Sequence, residues 1–175
     1  MDLIRRIKWG VIKLRFGSKV KMPFQKIYLG GLRIRINGNG KIYLHSGLGC
    51  RSNVIFNVSD GGVIDIGCNV SFNDGCMLNA RKKITIGKNT VIGQNVMMYD
   101  HDHNYQDLEK MRNDFLVEKI TIGENVWIGS NVIILRGSTV GDGAVIGAGT
   151  IIKGDIPPNT MVYNSRELVQ KKIRE

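Results

Sequence analysis

The stretch Ile122-Gly123-Glu124-Asn125-Val126-Trp127-Ile128-Gly129-Ser130 decides the fold. It opens a run in which an aliphatic residue falls on every sixth position: Ile122, Ile128, Ile134, Val140, Ile146 and Ile152. Four places after each of the first five stands a small or β-branched residue: Val126, Val132, Ser138, Ala144 and Thr150. The same pairing occurs upstream at Ile66/Val70, Ile86/Thr90 and Ile92/Val96. A period of six fits neither a helix nor a lone amphipathic strand, and hexapeptide self-similarity marks a parallel β-helix. Three hexapeptides close one triangular coil, so Ile122 is expected under Val140 and Ile128 under Ile146. Gly follows the aliphatic residue at Gly67, Gly87, Gly93, Gly123, Gly129, Gly141 and Gly147, where a corner with positive φ is expected. Asn69, Asn89, Asn95, Asn125 and Asn131 lie just past the corners, and Asn tolerates the left-handed region.

A chain of 175 residues with 42% hydrophobic content and 22 Gly is one domain's worth of turn-rich β protein. It has no apolar run long enough for a transmembrane helix, and the charged N-terminus lacks a signal-peptide core. The three cysteines (Cys50, Cys68, Cys76) lack metal spacing and read as reduced thiols in a cytoplasmic protein.

The net charge of +10 is unevenly placed: residues 1–41 hold eleven basic residues against Asp2 alone. Within residues 1–20, read as a basic amphipathic helix, Leu3, Ile7, Val11 and Leu14 share one face. Such a helix can lie peripherally on the inner face of a membrane. The reading preferred on the sequence is that it caps the open first coil, because an exposed coil end needs a cap. Nucleic acid is not expected, because no stacking motif accompanies the charge.

Residues 21–162 form the β-helix domain, with degenerate early coils from Leu32 to Phe56 and a two-residue insertion near Arg81. The repeat breaks at Tyr99, and residues 100–117 carry no hexapeptide pattern. The frame resumes in phase at Ile122, as expected if a loop is expelled from the prism. Asn164 three places before Glu167 resembles a capping box, which predicts a final helix over residues 163–175. The fold class is thus all-β, a parallel β-helix with short N- and C-terminal helices and one expelled loop.

His101 and His103 stand at the root of that loop, framed by Asp100 and Asp102. On a strand, residues i and i+2 face the same side, so the histidines project together and the aspartates oppositely. Histidine suits proton removal at neutral pH, which makes one of them a candidate general base. A solvated polar turn is the other reading, and spacing alone leaves both open. A His-x-His metal chelate is a third, although no fourth ligand is evident.

The phrase Asn125-Val126-Trp127-Ile128-Gly129-Ser130 with a histidine loop upstream, followed by Val140-Gly141-Asp142 and Val145-Ile146-Gly147-Ala148-Gly149-Thr150, resembles the hexapeptide-repeat acetyltransferases. The likeness is to the maltose and galactoside O-acetyltransferase branch, including polysaccharide-modifying members. It implies a left-handed β-helix, a homotrimer, and active sites between neighbouring subunits. It further implies acetyl-CoA as co-substrate, no metal, and a sugar or glycan acceptor. An ungapped match places His103 on the family's base, with His101 beside it. The match places Asn73 on an asparagine that contacts the acceptor, with Asp100 and Tyr105 as further acceptor-side candidates. It puts Trp127, Gly129, Ser130 and Ala148 along the cofactor's pantetheine arm. Lys153 departs from the family's small polar residue, and Tyr163-Asn164-Ser165-Arg166 replaces its usual tail, which leaves Lys153, Arg166 or Lys171 as candidates for the nucleotide end.

The expected function is acetyl-CoA-dependent O-acetylation of a sugar hydroxyl in surface polysaccharide biosynthesis, by direct attack. The alternatives are N-acetylation of a nucleotide-linked amino sugar, a metal-binding trimer resembling carbonic anhydrase, and a non-catalytic scaffold.

Overall fold

The computed structural model describes residues 3–24, 27–165, 167 and 170–173. Three parallel sheets wrap around one column. The first runs Val20–Lys21, Lys41–Leu44, Val63–Ile66, Lys83–Ile86, Ile120–Ile122, Thr139–Val140, Asp155–Ile156. The second stacks Gly49–Cys50, Ser71–Phe72, Val91–Ile92, Trp127–Ile128, Val145–Ile146 and Met161–Val162. The third stacks Arg33–Ile36, Ile55–Val58, Met77–Ala80, Met97–Tyr99, Ile133–Leu135 and Ile151–Ile152. Ile122 pairs with Val140 and Ile128 with Ile146, as the period requires.

Every aliphatic residue of the repeat is buried, as are Val126, Val132, Ser138, Ala144 and Thr150. Each buried Val or Ile contributes roughly 1.5–3 kcal/mol relative to exposure. Early coils are longer, with Asn57 bonded to Asn79 across 22 residues where later coils take 18. The edge-to-face rings of Phe56 and Phe72, 5.3 Å apart, fill the interior there. Inward polar residues are tolerated where they find partners. Thr90 Oγ1 donates to the Gly123 carbonyl at 3.0 Å and accepts the Val126 N–H at 3.2 Å.

The corner asparagines adopt the left-handed conformation expected of them, with φ between 54° and 59° at Asn69, Asn89, Asn95, Asn125 and Asn131. They also stack, Asn69 donating to Asn89 and Asn89 to Asn125. The expectation for the glycines is corrected. None of the seven that follow an aliphatic residue has positive φ. Glycine is required there because adjacent coils touch backbone to backbone. A Cβ on Gly87 would lie 2.5 Å from the carbonyl of Gly123, and one on Gly129 would lie 2.7 Å from the nitrogen of Ala148. Gly87→Ala is therefore expected to cost about 1–3 kcal/mol through overpacking, read as a lowered urea midpoint.

The N-terminal helix is Leu3–Phe16. It does cover the first coil, but not through the face read from the sequence. Ile12 is buried and Phe16 packs against the core, whereas Ile7, Val11 and Leu14 point outward. Trp9 meets Phe24 edge-on at 5.1 Å. Of the segment expected to form a final helix, the described residues 163–165, 167 and 170–173 are not helical. Ile173 is 90% exposed and so lacks the packing on which short helices depend; Leu168 and Val169 lie outside the described residues. No helix among the described residues is long and apolar enough to cross a membrane.

Candidate active site

The expelled segment is an antiparallel hairpin projecting where the chain passes from the third sheet to the first. Its strands are His101–His103 and Phe115–Val117, with His101 opposite Val117 and His103 opposite Phe115. At its tip, Asn104 donates its side-chain amide to Asp114 at 2.7 Å, and its backbone N–H bonds the Asp114 carbonyl. At its root, Asp100 is fully buried. The Asp100 carboxylate accepts the backbone N–H of Arg81 at 2.8 Å and of Lys82 at 2.7 Å. It also lies 3.0 Å from Nδ1 of His101. Asp100 is therefore not free to meet an acceptor; its role is to hold the root of the hairpin and one imidazole.

Side-chain alternation places both histidines on one side, as expected. Their rings lean on Phe115, with centroids 5.6 Å away for His101 and 4.5 Å for His103. Nδ1 of His103 is 2.6 Å from the Met111 carbonyl. A carbonyl oxygen only accepts, so Nδ1 carries the hydrogen and the Nε2 lone pair of the neutral ring is left available. By the same reasoning, Asp100 keeps the hydrogen of His101 on Nδ1. An open depression of about 580 Å³ lies beside them, lined by Tyr99, His101, Asp102, His103, Tyr105 and Leu135.

Two arginines that are not among the candidate site residues secure the hairpin. Arg136, one coil later, donates Nε to Asp102 at 2.7 Å and pairs with Glu118. The hydrogen bond to Asp102 and the neighbouring Glu118 raise its already high pKa further, so it stays charged. Arg81, from the coil before, lays its guanidinium 3.4 Å over the Phe115 ring. Glu118 and Arg136 are 18 residues apart, one coil length, and that spacing was the signal available in the sequence.

The remaining candidates lie on a different edge. Asn73, Gly129, Ser130 and Ala148 lie at corners between the second and third sheets, with the corner of Gln94 between those of Asn73 and Ser130. Ser130 Oγ accepts the Gln94 N–H at 3.3 Å. Asn73 lines a depression of about 280 Å³ with Tyr28, Arg51 and Ser71. Trp127 is 56% exposed on the strand that leads into this edge, so it is not a core residue. Lys153 is separated from Ser130 and Ala148, since it follows Ile151–Ile152 on the histidine edge. Arg166 lies outside the described residues. Within one chain, the histidines and the Asn73–Ser130–Ala148 column are not brought together.

The cysteines supply no alternative nucleophile at Cys50 or Cys76. Burial pushes their thiols up to about 12 and about 11, which at pH 8 leaves roughly one in a thousand or fewer as thiolate. In the native protein at pH 8, a thiol-reactive dye is expected to label at most Cys68 promptly, and all three thiols after unfolding in guanidinium. Among the described residues, no three His, Cys, Asp or Glu side chains group as a metal site.

Residues 119–154 match the family described as bacterial transferase hexapeptide (six repeats). The chain is 41% identical over 103 residues to galactoside O-acetyltransferase of Escherichia coli, covering 59% of this chain and 51% of that one. It is 31% identical over 120 residues to WbbJ of the same organism, covering 63% and 61%; the name of that protein provisionally assigns it to lipopolysaccharide biosynthesis O-acetyl transfer. A solved galactoside acetyltransferase in complex with coenzyme A is 26% identical, with a TM-score of 0.53 over 92% of this chain and 76% of that one. The chain spans about half to three fifths of the length of the curated relatives it matches.

Proposed function

We propose that this protein transfers the acetyl group of acetyl-CoA to a sugar hydroxyl, within a homotrimer whose sites lie between protomers. The observation that carries this reading is the His103 ring, with Nδ1 committed to the Met111 carbonyl and Nε2 left for an incoming hydroxyl. The likeness to galactoside O-acetyltransferases supports both the donor and the sugar acceptor. The likeness to WbbJ supports a surface polysaccharide, or its precursor, as the acceptor.

In the proposed reaction, Nε2 of His103 takes the hydroxyl proton as the oxygen attacks the thioester carbonyl. The tetrahedral intermediate then collapses with loss of the CoA thiolate, which recovers the proton from the imidazolium. No acyl-enzyme forms. His101, oriented by Asp100, and Tyr105 are placed to contact the acceptor. The pantetheine arm would run along Trp127, Gly129, Ser130 and Ala148 of the neighbouring protomer, with Asn73 on the acceptor. Separation of the two residue sets onto different edges of one chain supports a shared site. So do the outward apolar residues Val91, Trp127, Ile151 and Met161 on the second and third sheets, which a partner would bury.

The reading is tested by thiol release from acetyl-CoA across a panel of candidate glycans, with product linkage separating ester from amide. Failure of every acceptor to release thiol, together with absence of CoA binding, would reject it.

A further inference from the structure

The N-terminal helix presents a surface that acetyl transfer does not use. It is tied to the prism by Ile12, by Phe16, and by two lysines: Lys13 Nζ donates to the Val20 carbonyl at 3.0 Å and Lys8 Nζ to that of Gly30. On the opposite side Ile7, Val11 and Leu14 are 57%, 56% and 91% exposed. Spacings of four and three residues put them in one stripe along the helix. Lys8 and Arg15 fall on one flank of that stripe and Lys13 on the other. Beside it lies an open depression of about 350 Å³ whose lining includes Lys8, Val11, Arg15, Arg33 and Arg35. From Leu3 to Ser59 the sequence holds twelve Lys and Arg and no Asp or Glu.

We propose that this face docks on an anionic phospholipid surface. The apolar stripe enters the boundary between headgroups and acyl chains, and Arg15, Arg33 and Arg35 beside it meet the lipid phosphates. Charge complementarity selects this occupant. A second copy of the same segment would bring cations against cations with no counter-charge. A soluble polyanion would satisfy the charges but leave Ile7, Val11 and Leu14 in water. Docking stands on this geometry alone, independently of the reaction proposed above.

The experiment is co-sedimentation of the full chain with vesicles of phosphatidylcholine, with and without about a third phosphatidylglycerol. Binding to the anionic vesicles only is expected, weakened about tenfold or more by roughly 0.5 M salt as the Debye length shrinks. Val11→Ser combined with Leu14→Ser, and separately Arg15→Gln combined with Arg35→Gln, are each expected to reduce binding about tenfold while circular dichroism stays unaltered. Undiminished binding by the serine variant, or equal binding to neutral vesicles, overturns the proposal. So does a loss of oligomer mass in the serine variant, which would assign the stripe to a second copy.

Discussion

If the proposed function holds, His103→Ala is expected to lower acetyl-transfer turnover by about 10²–10⁴-fold, the range that a general base supplies. The structural cost should be small. The ring is exposed, and it gives up one hydrogen bond to the Met111 carbonyl and its contact with Phe115. Circular dichroism and molar mass in solution should match the parent protein, which separates loss of the base from loss of the fold. The residual rate would reflect alignment of two substrates, a term that survives removal of the base. Thiol release at saturating acetyl-CoA is the measurement, and a variant that turns over like the parent would remove His103 from the mechanism.

Asp100→Ala carries the largest expected effect on stability. The carboxylate is fully buried and accepts two backbone N–H groups, so truncation orphans both as well as the Nδ1–H of His101. Hydrogen bonds to charged groups are worth about 1.5–3 kcal/mol each, and an unsatisfied buried donor costs about 1–3 kcal/mol. A loss of roughly 3 kcal/mol or more is expected, a large share of an ordinary domain's total of about 5–15 kcal/mol. Asp100→Asn should fall between the two. Its oxygen can still accept one N–H, but its amide would face the other donor. A urea series on the parent and both variants gives the order. An alanine variant as stable as the parent would mean that the bonds to Arg81 and Lys82 are not formed in solution.

The column was legible because each coil repeats a local rule. The inward positions from Ile66 to Ile152, the left-handed asparagines and the expelled loop after Tyr99 all follow from hexapeptide spacing and residue chemistry. The corner positions of the glycines follow from the period, but the reason for glycine there does not. A corner glycine can be demanded by its own φ or by the coil beside it, and only the neighbour's position distinguishes these. Gly87 is needed because of Gly123, 36 residues away, across the hairpin. The helix was legible as a helix, but its docked side was not. Its stripe of Ile7, Val11 and Leu14 is the better apolar face by periodicity, yet contact with the core falls to Ile12 and Phe16, around the far side.

For the candidate site, alternation along three residues placed His101 and His103 together and sent Asp102 away from them. What becomes of the aspartates is a tertiary matter. Asp102 meets Arg136 across 34 residues, and Asp100 meets the backbone of Arg81 and Lys82 across 19 and 18. Those partners are chosen by which corners stack, and stacking depends on accumulated insertions. Hydrogen-bonded neighbours stand 22, 20, 36 and 18 residues apart in successive parts of the chain.

The amino-acid sequence by itself determined a triangular prism, its inward residues and the point where a hairpin leaves it, because these obey short-range periodicity. Only the tertiary structure decided that the histidines occupy one edge and the Asn73–Ser130–Ala148 column another. An edge is defined by the backbone ladder between coils, and that ladder joins residues whose distance along the chain changes with every insertion.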